Sequence, residues 1–251
     1  MKLTVIPHIN LQEVKLYGLS DTHIGSADCD INLLQKDIDT IKCDPFARVV
    51  ITGDLLQCDF KSSKGDIYNQ TLSPKEQRKK AKEMLLPIKD KILAMMGGNH
   101  DEGRSQEDAS PIEDIAEYLG VKYCAGEMLL KLLIGYKPNK KPAIYTFYAV
   151  HGWSSGKKVG SAANALDSLK EIVCADIYGM GHTHKQHTHK DIFYIPDLHN
   201  NNVMERVRYF VNFGSYQKRG MYPKRFAMNG QVLGTPLIRL SGNEVKVVVE
   251  M

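Results

Sequence analysis

Eight side chains able to donate to a divalent cation, Asp21, His23, Asp54, Asn99, His100, His151, His182 and His184, stand in five short clusters of the sequence. The clusters are Asp21-Thr22-His23, Gly53-Asp54, Gly98-Asn99-His100-Asp101, His151-Gly152 and Gly181-His182-Thr183-His184. Imidazole nitrogens mixed with carboxylate and amide oxygens suit a borderline ion such as Mn²⁺, Fe²⁺ or Zn²⁺. The mixture is too rich in nitrogen for a Mg²⁺ or Ca²⁺ cage. Eight donors also exceed the four of a tetrahedral zinc site. Two ions sharing a bridging carboxylate fit them better, at the roughly 3.5–4 Å separation of two-metal hydrolases. Such a pair neutralises an anionic ester, acidifies water and orients in-line attack. The leaving oxygen then needs a proton, which calls for an imidazole beside the ions but not on them.

Each cluster directly follows a short apolar run: VKLYGLS, ARVVIT, KILAMMG, AIYTFYAV and DIYGM lead into them in turn. Two further runs, RYFVN before Phe213-Gly214-Ser215-Tyr216 and the terminal EVKVVVE, follow the same style. Nearly continuous β-rich apolar runs indicate strands buried on both faces. Helical spacing of Ile31, Leu34, Ile38 and Ile41 predicts a helix over 30–42. Ser-Pro pairs open two more, at Ser73-Pro74 and before PIEDIAEYL, and SAANALDSLKEIV is a fourth. Alternating strands and helices predict a layered α/β fold with central mixed β-sheets flanked by helices. In such folds ligands gather beyond the carboxyl ends of the strands, so the five clusters are expected along one edge of one sheet. Helices thin out after about residue 175. The chain therefore reads as a single domain over 1–251, loop- and strand-rich from about 185.

In this order, D-x-H, G-D, G-N-H-D, H-G and G-H-x-H, the motifs resemble those of the calcineurin-like metallophosphoesterase superfamily. The resemblance runs from Asp21 to His184, and the NFGSY strand is similar to the family's closing strand. It implies that Asp21, His23 and His184 hold one metal ion and that Asn99, His151 and His182 hold the second. It further implies that Asp54 bridges them. His100 would then be the general acid or a transition-state cation. Asp101 is either its orienting partner or a cap of the following turn. Two divalent ions are expected, Mn²⁺ first, with Fe²⁺ and Zn²⁺ as alternatives.

Departures narrow the branch. Purple acid phosphatases carry a tyrosine where Gln57 stands, and protein Ser/Thr phosphatases follow the Gly-Asp aspartate with an Asp-Arg-Gly turn where this chain reads Leu55-Leu56-Gln57-Cys58-Asp59. Asp-Thr-His-Ile-Gly-Ser followed by Gly-Asp-Leu-Leu is similar to the double-strand-break repair nucleases, which place a histidine at the Gln57 position. A substrate clue lies between Asn201 and Leu240, where seven basic residues face one acid, Glu205. Arg206, Arg208, Lys218, Arg219, Lys224, Arg225 and Arg239 interleave there with Tyr209, Phe210, Phe213, Tyr216, Tyr222 and Phe226. Such a pattern suits a surface that tracks a phosphate backbone and stacks bases. Tyr216, Lys218 and Arg219 follow the last of these strands and are the candidate substrate-binding residues. The other reading of the segment is a core strand with a solvated charged rim.

The favoured expectation is a phosphodiesterase acting on nucleic acid or a nucleotide. A phosphomonoesterase with the same site chemistry and a non-catalytic scaffold of the same fold remain as alternatives. Five widely spaced cysteines without a C-x-x-C pair argue against a disulfide framework or a thiolate zinc site. No secretory h-region or membrane-length apolar run is present, which predicts a cytoplasmic protein without a membrane partner. A net charge of +4 is too mild to demand an anionic partner.

Overall fold

A computed structural model describes residues 1–59, 70–102, 110–153, 156, 158–220 and 230–251. In chain order the elements are β1 (Leu3–Val5), β2 (Glu13–Leu19), α1 (Ile31–Cys43), β3 (Ala47–Thr52), α2 (Pro74–Leu85), β4 (Ile92–Met96) and α3 (Pro111–Leu119). Then follow β5 (Glu127–Ile134), β6 (Ala143–Val150), α4 (Val159–Asp167), β7 (Ile177–Met180), β8 (His187–Asp197), β9 (Asn202–Asn212), β10 (Leu237–Ser241) and β11 (Val247–Glu250).

The strands form two mixed sheets. One has five strands in the order β11-β10-β2-β3-β4, the other six in the order β1-β5-β6-β7-β9-β8. Strands β2, β3 and β4 run parallel, as do β6, β7 and β9. The sequence places all five polar clusters at the edge of one sheet; the structure divides them between two. Asp21, Asp54 and Asn99 follow β2, β3 and β4, whereas His151 and His182 follow β6 and β7.

Alternation along β3 shows why its run is apolar throughout. Val50 packs into the core between the sheets with Leu16, Met96, Leu130, Phe147 and Phe213. Val49 and Ile51 point the other way, towards Leu34 and Ile38 of α1, Ala81 of α2 and Ile115 of α3. Burying each such side chain contributes about 1.5–3 kcal/mol. On the far face of the six-stranded sheet, Leu166 of α4 packs on Tyr148, Tyr178 and Phe210. The result is four layers, helix–sheet–sheet–helix.

The helix signals act where the sequence puts them. Asp30 caps α1 through Leu33 N–H. Ser73 and Glu76 form a reciprocal capping box before Pro74, and Ser110 caps α3. Strands β8 and β9 are each 11 residues long, which is longer than the short strands expected of this part of the chain. All five cysteines are free thiols. Among the described residues no helix is long and apolar enough to cross a membrane.

Candidate metal centre

The loops leaving the parallel strands turn sharply. Asp21, His23, Asp54, His182 and His184 all have φ between +48° and +63°, the left-handed region that non-glycine residues seldom adopt. Such strain persists only where the surroundings over-determine it. Here neighbouring loops do so. Asp21 N–H donates to the Gly53 carbonyl and His23 N–H to the Asp54 carbonyl, each at 3.0 Å. His182 N–H donates to Asp21 Oδ2 at 2.9 Å, and His100 N–H to Asp54 Oδ1 at 2.8 Å. Gly53, at φ +99°, leaves no room for a side chain, because a Cβ would lie 2.5 Å from His151 Nδ1 and 2.9 Å from Gly98 Cα. Gly98 in turn packs against the Asp54 backbone and carboxylate.

The side chains so aimed form two adjoining cradles. In the first, His184 Nε2 lies 3.2 Å from both Asp21 Oδ1 and His23 Nε2, and His23 Nε2 lies 3.8 Å from Asp21 Oδ1. In the second, His151 Nε2 lies 3.1 Å from Asp54 Oδ2, and His182 Nδ1 lies 2.9 Å from Asn99 Oδ1. Donors about 2.0–2.2 Å from a shared ion stand roughly 3–3.5 Å from one another, so these spacings fit divalent metals. Asp54 Oδ2 also lies 3.9 Å from His23 Nε2, which puts one carboxylate oxygen between the two cradles. Asp21 Oδ1 and His151 Nε2 are buried without hydrogen-bond partners, although His151 faces Asp54 closely. An ion in each cradle gives both atoms a partner.

Surrounding groups hold the donors in place. The Thr52 carbonyl accepts a hydrogen bond from His151 Nδ1 at 2.9 Å, which turns Nε2 towards the cradle. Ser20 donates to Asp21 Oδ2 at 2.6 Å, Ser215 to the Asp21 carbonyl at 2.9 Å, and Asn212 to Thr183 Oγ1 at 2.9 Å. Sequence reasoning missed these three. Ser20 carried a signal in its position beside a candidate ligand, and Asn212 and Ser215 in their place within the NFGSY run.

The carboxylates and imidazoles of the two cradles shift one another's titration. Burial pushes the His151 imidazolium down, yet the carboxylates of Asp54 and Asp21 outweigh it and lift the ring to about 10. Burial alone raises the Asp54 carboxyl, but His151, His100 and His23 together hold it well below the usual carboxylate range. Asp21 is held low in the same way, with His184 and His151 prevailing over burial. Burial leads in depressing His23 and His182, which favours the neutral imidazole that binds metals.

His100 stands at the rim of this arrangement. Its Nδ1 is 3.0 Å from the Gln57 carbonyl, and its Nε2 is 3.9 Å from Asp54 Oδ2. Asp101 is not the group that orients it. The buried Asp101 carboxylate instead accepts backbone N–H groups of Leu55 and Gly98, each at 3.1 Å, and of Leu56 at 2.8 Å. It pins the loop carrying Asp54 to the loop carrying Asn99. Burial first, and then the Asp54 charge, pushes its carboxyl up to about 8 against those three donors. Asp101→Ala should leave three buried N–H groups without acceptors and cost about 3–5 kcal/mol. For a chain of this size that is a drop in Tm of roughly 6–20 °C, measured by calorimetry. An unchanged Tm would refute the pinning role.

The substrate-binding candidates divide. Tyr216 is fully buried among residues of α1 and the five-stranded sheet, with its hydroxyl donating to Asp37 at 2.8 Å, so it cannot stack on a substrate. Tyr216→Phe should cost about 1.5–3 kcal/mol in urea unfolding and leave kcat and KM unchanged. A raised KM without loss of stability would restore it to the site. Lys218 is exposed and pairs with Asp30, the α1 cap, at 3.0 Å. Arg219 is exposed beside it.

The basic and aromatic segment does not form a groove from its described residues. Arg208 makes two 2.8 Å bonds to Asp191, Arg206 pairs with Asp176, and Arg239 is held by Glu13 and Glu250. Arg239 lies opposite Lys15, at the end of β2 remote from Asp21. Phe210 and Phe213 are core residues. Tyr222, Lys224, Arg225 and Phe226 lie outside the described residues. His187 and His189 sit on β8, away from the cradles, with His189 stacked on Phe210.

The sequence model of the calcineurin-like phosphoesterases matches residues 14–214, which span all five clusters and the strand that follows them. The chain belongs to this family. Among solved structures, this chain resembles a single mutant of Vps29 from Entamoeba histolytica at 16% identity, with 94% of this chain and 90% of that one covered and a TM-score of 0.46. It also resembles a metallophosphoesterase from Sphaerobacter thermophilus at 15% identity, with 91% and 83% covered and a TM-score of 0.40. A third is a conserved phosphoesterase-like protein from Streptococcus pneumoniae, at 13% identity, 95% and 90% covered and a TM-score of 0.42. No curated protein matches this chain in sequence.

Proposed function

We propose that this chain hydrolyses phosphodiester bonds of nucleotides or nucleic acid, using two divalent ions and His100 as general acid. Mn²⁺ is the first candidate for both ions. Asp21, His23 and His184 would hold one, Asn99, His151 and His182 the other, with Asp54 shared. The observation that carries this reading is the placement of Asp54 Oδ2, 3.1 Å from His151 Nε2 and 3.9 Å from His23 Nε2. When bound, two such ions supply charge neutralisation and an acidified water.

The chain's own residues do the rest. The Gln57 carbonyl holds His100 by Nδ1, so that Nε2 faces the Asp54 side of the site and can give its proton to the leaving oxygen. Arg206, Arg208 and Arg239 are committed to carboxylates elsewhere. That favours a monoanionic diester over a dianionic monoester, which needs more positive charge. A scaffold of this fold has no need of the full donor set together with His100.

The test uses protein stripped by a chelator and reloaded with Mn²⁺. It is offered bis-p-nitrophenyl phosphate, p-nitrophenyl phosphate and a labelled single-stranded oligonucleotide. Turnover of both diesters is expected. Turnover of the monoester alone would make the protein a phosphatase, and none at all would return it to the scaffolds.

A further inference from the structure

The chain has a single tryptophan, Trp153, two residues beyond the ligand His151, and half of its surface is exposed. A large indole left in water needs a reason, because burying such a ring is strongly favourable. Three other exposed aromatics are partly covered, Phe46 by Lys15, Tyr118 by Lys82 and Tyr136 by His8, while Tyr194 on β8 is exposed as well but lies on no ligand-bearing turn. Among the described residues no ring or cation covers Trp153.

The described residues on either side of it are tied to turns that carry the candidate ligands. At the near end, Gly181 N–H donates to the His151 carbonyl at 3.0 Å. Gly152 then turns the chain at φ +106°, where a Cβ would meet Met180 at 2.5 Å. At the far end Lys185, next to His184, donates to the Gly156 carbonyl at 2.6 Å and to the Lys158 carbonyl at 3.4 Å. Trp153 thus lies two residues beyond His151, and the residue next to His184 holds the Gly156 and Lys158 carbonyls that follow it in the chain. An exposed aromatic face held beside a phosphate-binding centre is a stacking surface for a planar base.

We infer that Trp153 is the platform on which a nucleobase of the substrate stacks, so that it selects base-bearing phosphate esters over plain ones. This rests on the diesterase reading above for its substrate, and on the loop's placement for its position. The role is binding and specificity; the chemistry stays with the metal donors and His100.

Two arms test it on the metal-loaded protein. Because Trp153 is the only tryptophan, intrinsic fluorescence reports on this ring alone. AMP should quench it saturably and ribose 5-phosphate should not; equal responses, or none to AMP, would overturn the proposal. In the kinetic arm, Trp153→Ala and Trp153→Phe are compared on a base-bearing oligonucleotide and on its abasic counterpart. Trp153→Ala should raise KM for the base-bearing strand by about 5- to 150-fold, the range of base–aromatic stacking, with kcat unchanged. Trp153→Phe should recover much of that affinity, and neither variant should alter KM for the abasic strand. Equal shifts on both strands would mean a merely structural role. Should the wild type cleave no diester at all, the diesterase reading fails, and the AMP arm still decides on Trp153.

Discussion

Asp54→Asn should cost metal and activity together. One Asp54 oxygen borders both cradles, while the other accepts His100 N–H at 2.8 Å. An asparagine can keep the bond to His100 with its carbonyl oxygen. Its amide nitrogen then faces His151 and His23, where a bridging oxygen is needed, and it carries no charge to balance two cations. Removing a single supporting group outside the coordination shell already lowers affinity or activity by about 10–100-fold in metal sites. Loss of the shared ligand should exceed that, with fewer than two ions retained per chain and turnover down by more than about 10²-fold. Elemental analysis of dialysed protein, alongside activity and circular dichroism, checks both parts. A folded variant with two ions and full activity would show that Asp54 is not the bridge.

His100→Asn should separate what Asp54→Asn joins. The donors of both cradles are untouched, so metal content should stay at the wild-type level. Turnover of esters with poor leaving groups should fall by about 10²–10⁴-fold, the usual worth of a general acid. Esters of p-nitrophenol, whose leaving oxygen needs no proton, should lose far less. That contrast in leaving-group dependence is the decisive readout. A uniform loss on every substrate would recast His100 as a cation stabilising the transition state, and an unchanged rate would remove it from the reaction.

The side chains that the structure gathers into the two cradles were legible because they are rare types, each placed just after an apolar run. The strand assignments at ARVVIT and AIYTFYAV coincide with β3 and β6. Other elements were hidden for physical reasons. Strand β5, EMLLKLLI, reads equally well as a helix segment, and its parallel partner β1 lies more than a hundred residues away. Strand β8 alternates between exposed and half-buried positions and ends no cluster. The division of the site between two sheets was likewise invisible, since a strand end looks the same whichever sheet receives it. Asp101 and Tyr216 misled because their type suits a site while their burial serves the frame. Only contacts across the fold, such as Asp101 to Leu55 and Leu56, reveal that difference.

The division of the donors also bears on how long the protein survives. Each cradle draws on both sheets: Asp21 and His23 with His184, and Asp54 and Asn99 with His151 and His182. An ion in either place would rivet one half of the sandwich to the other, and binding that favours the native state would deepen its stability as the free ion rises above its Kd. Starvation for metal would then do more than silence the enzyme. It would loosen the seam between the sheets, open the chain to proteases more often, and tie the number of molecules present to the supply of the ion they use.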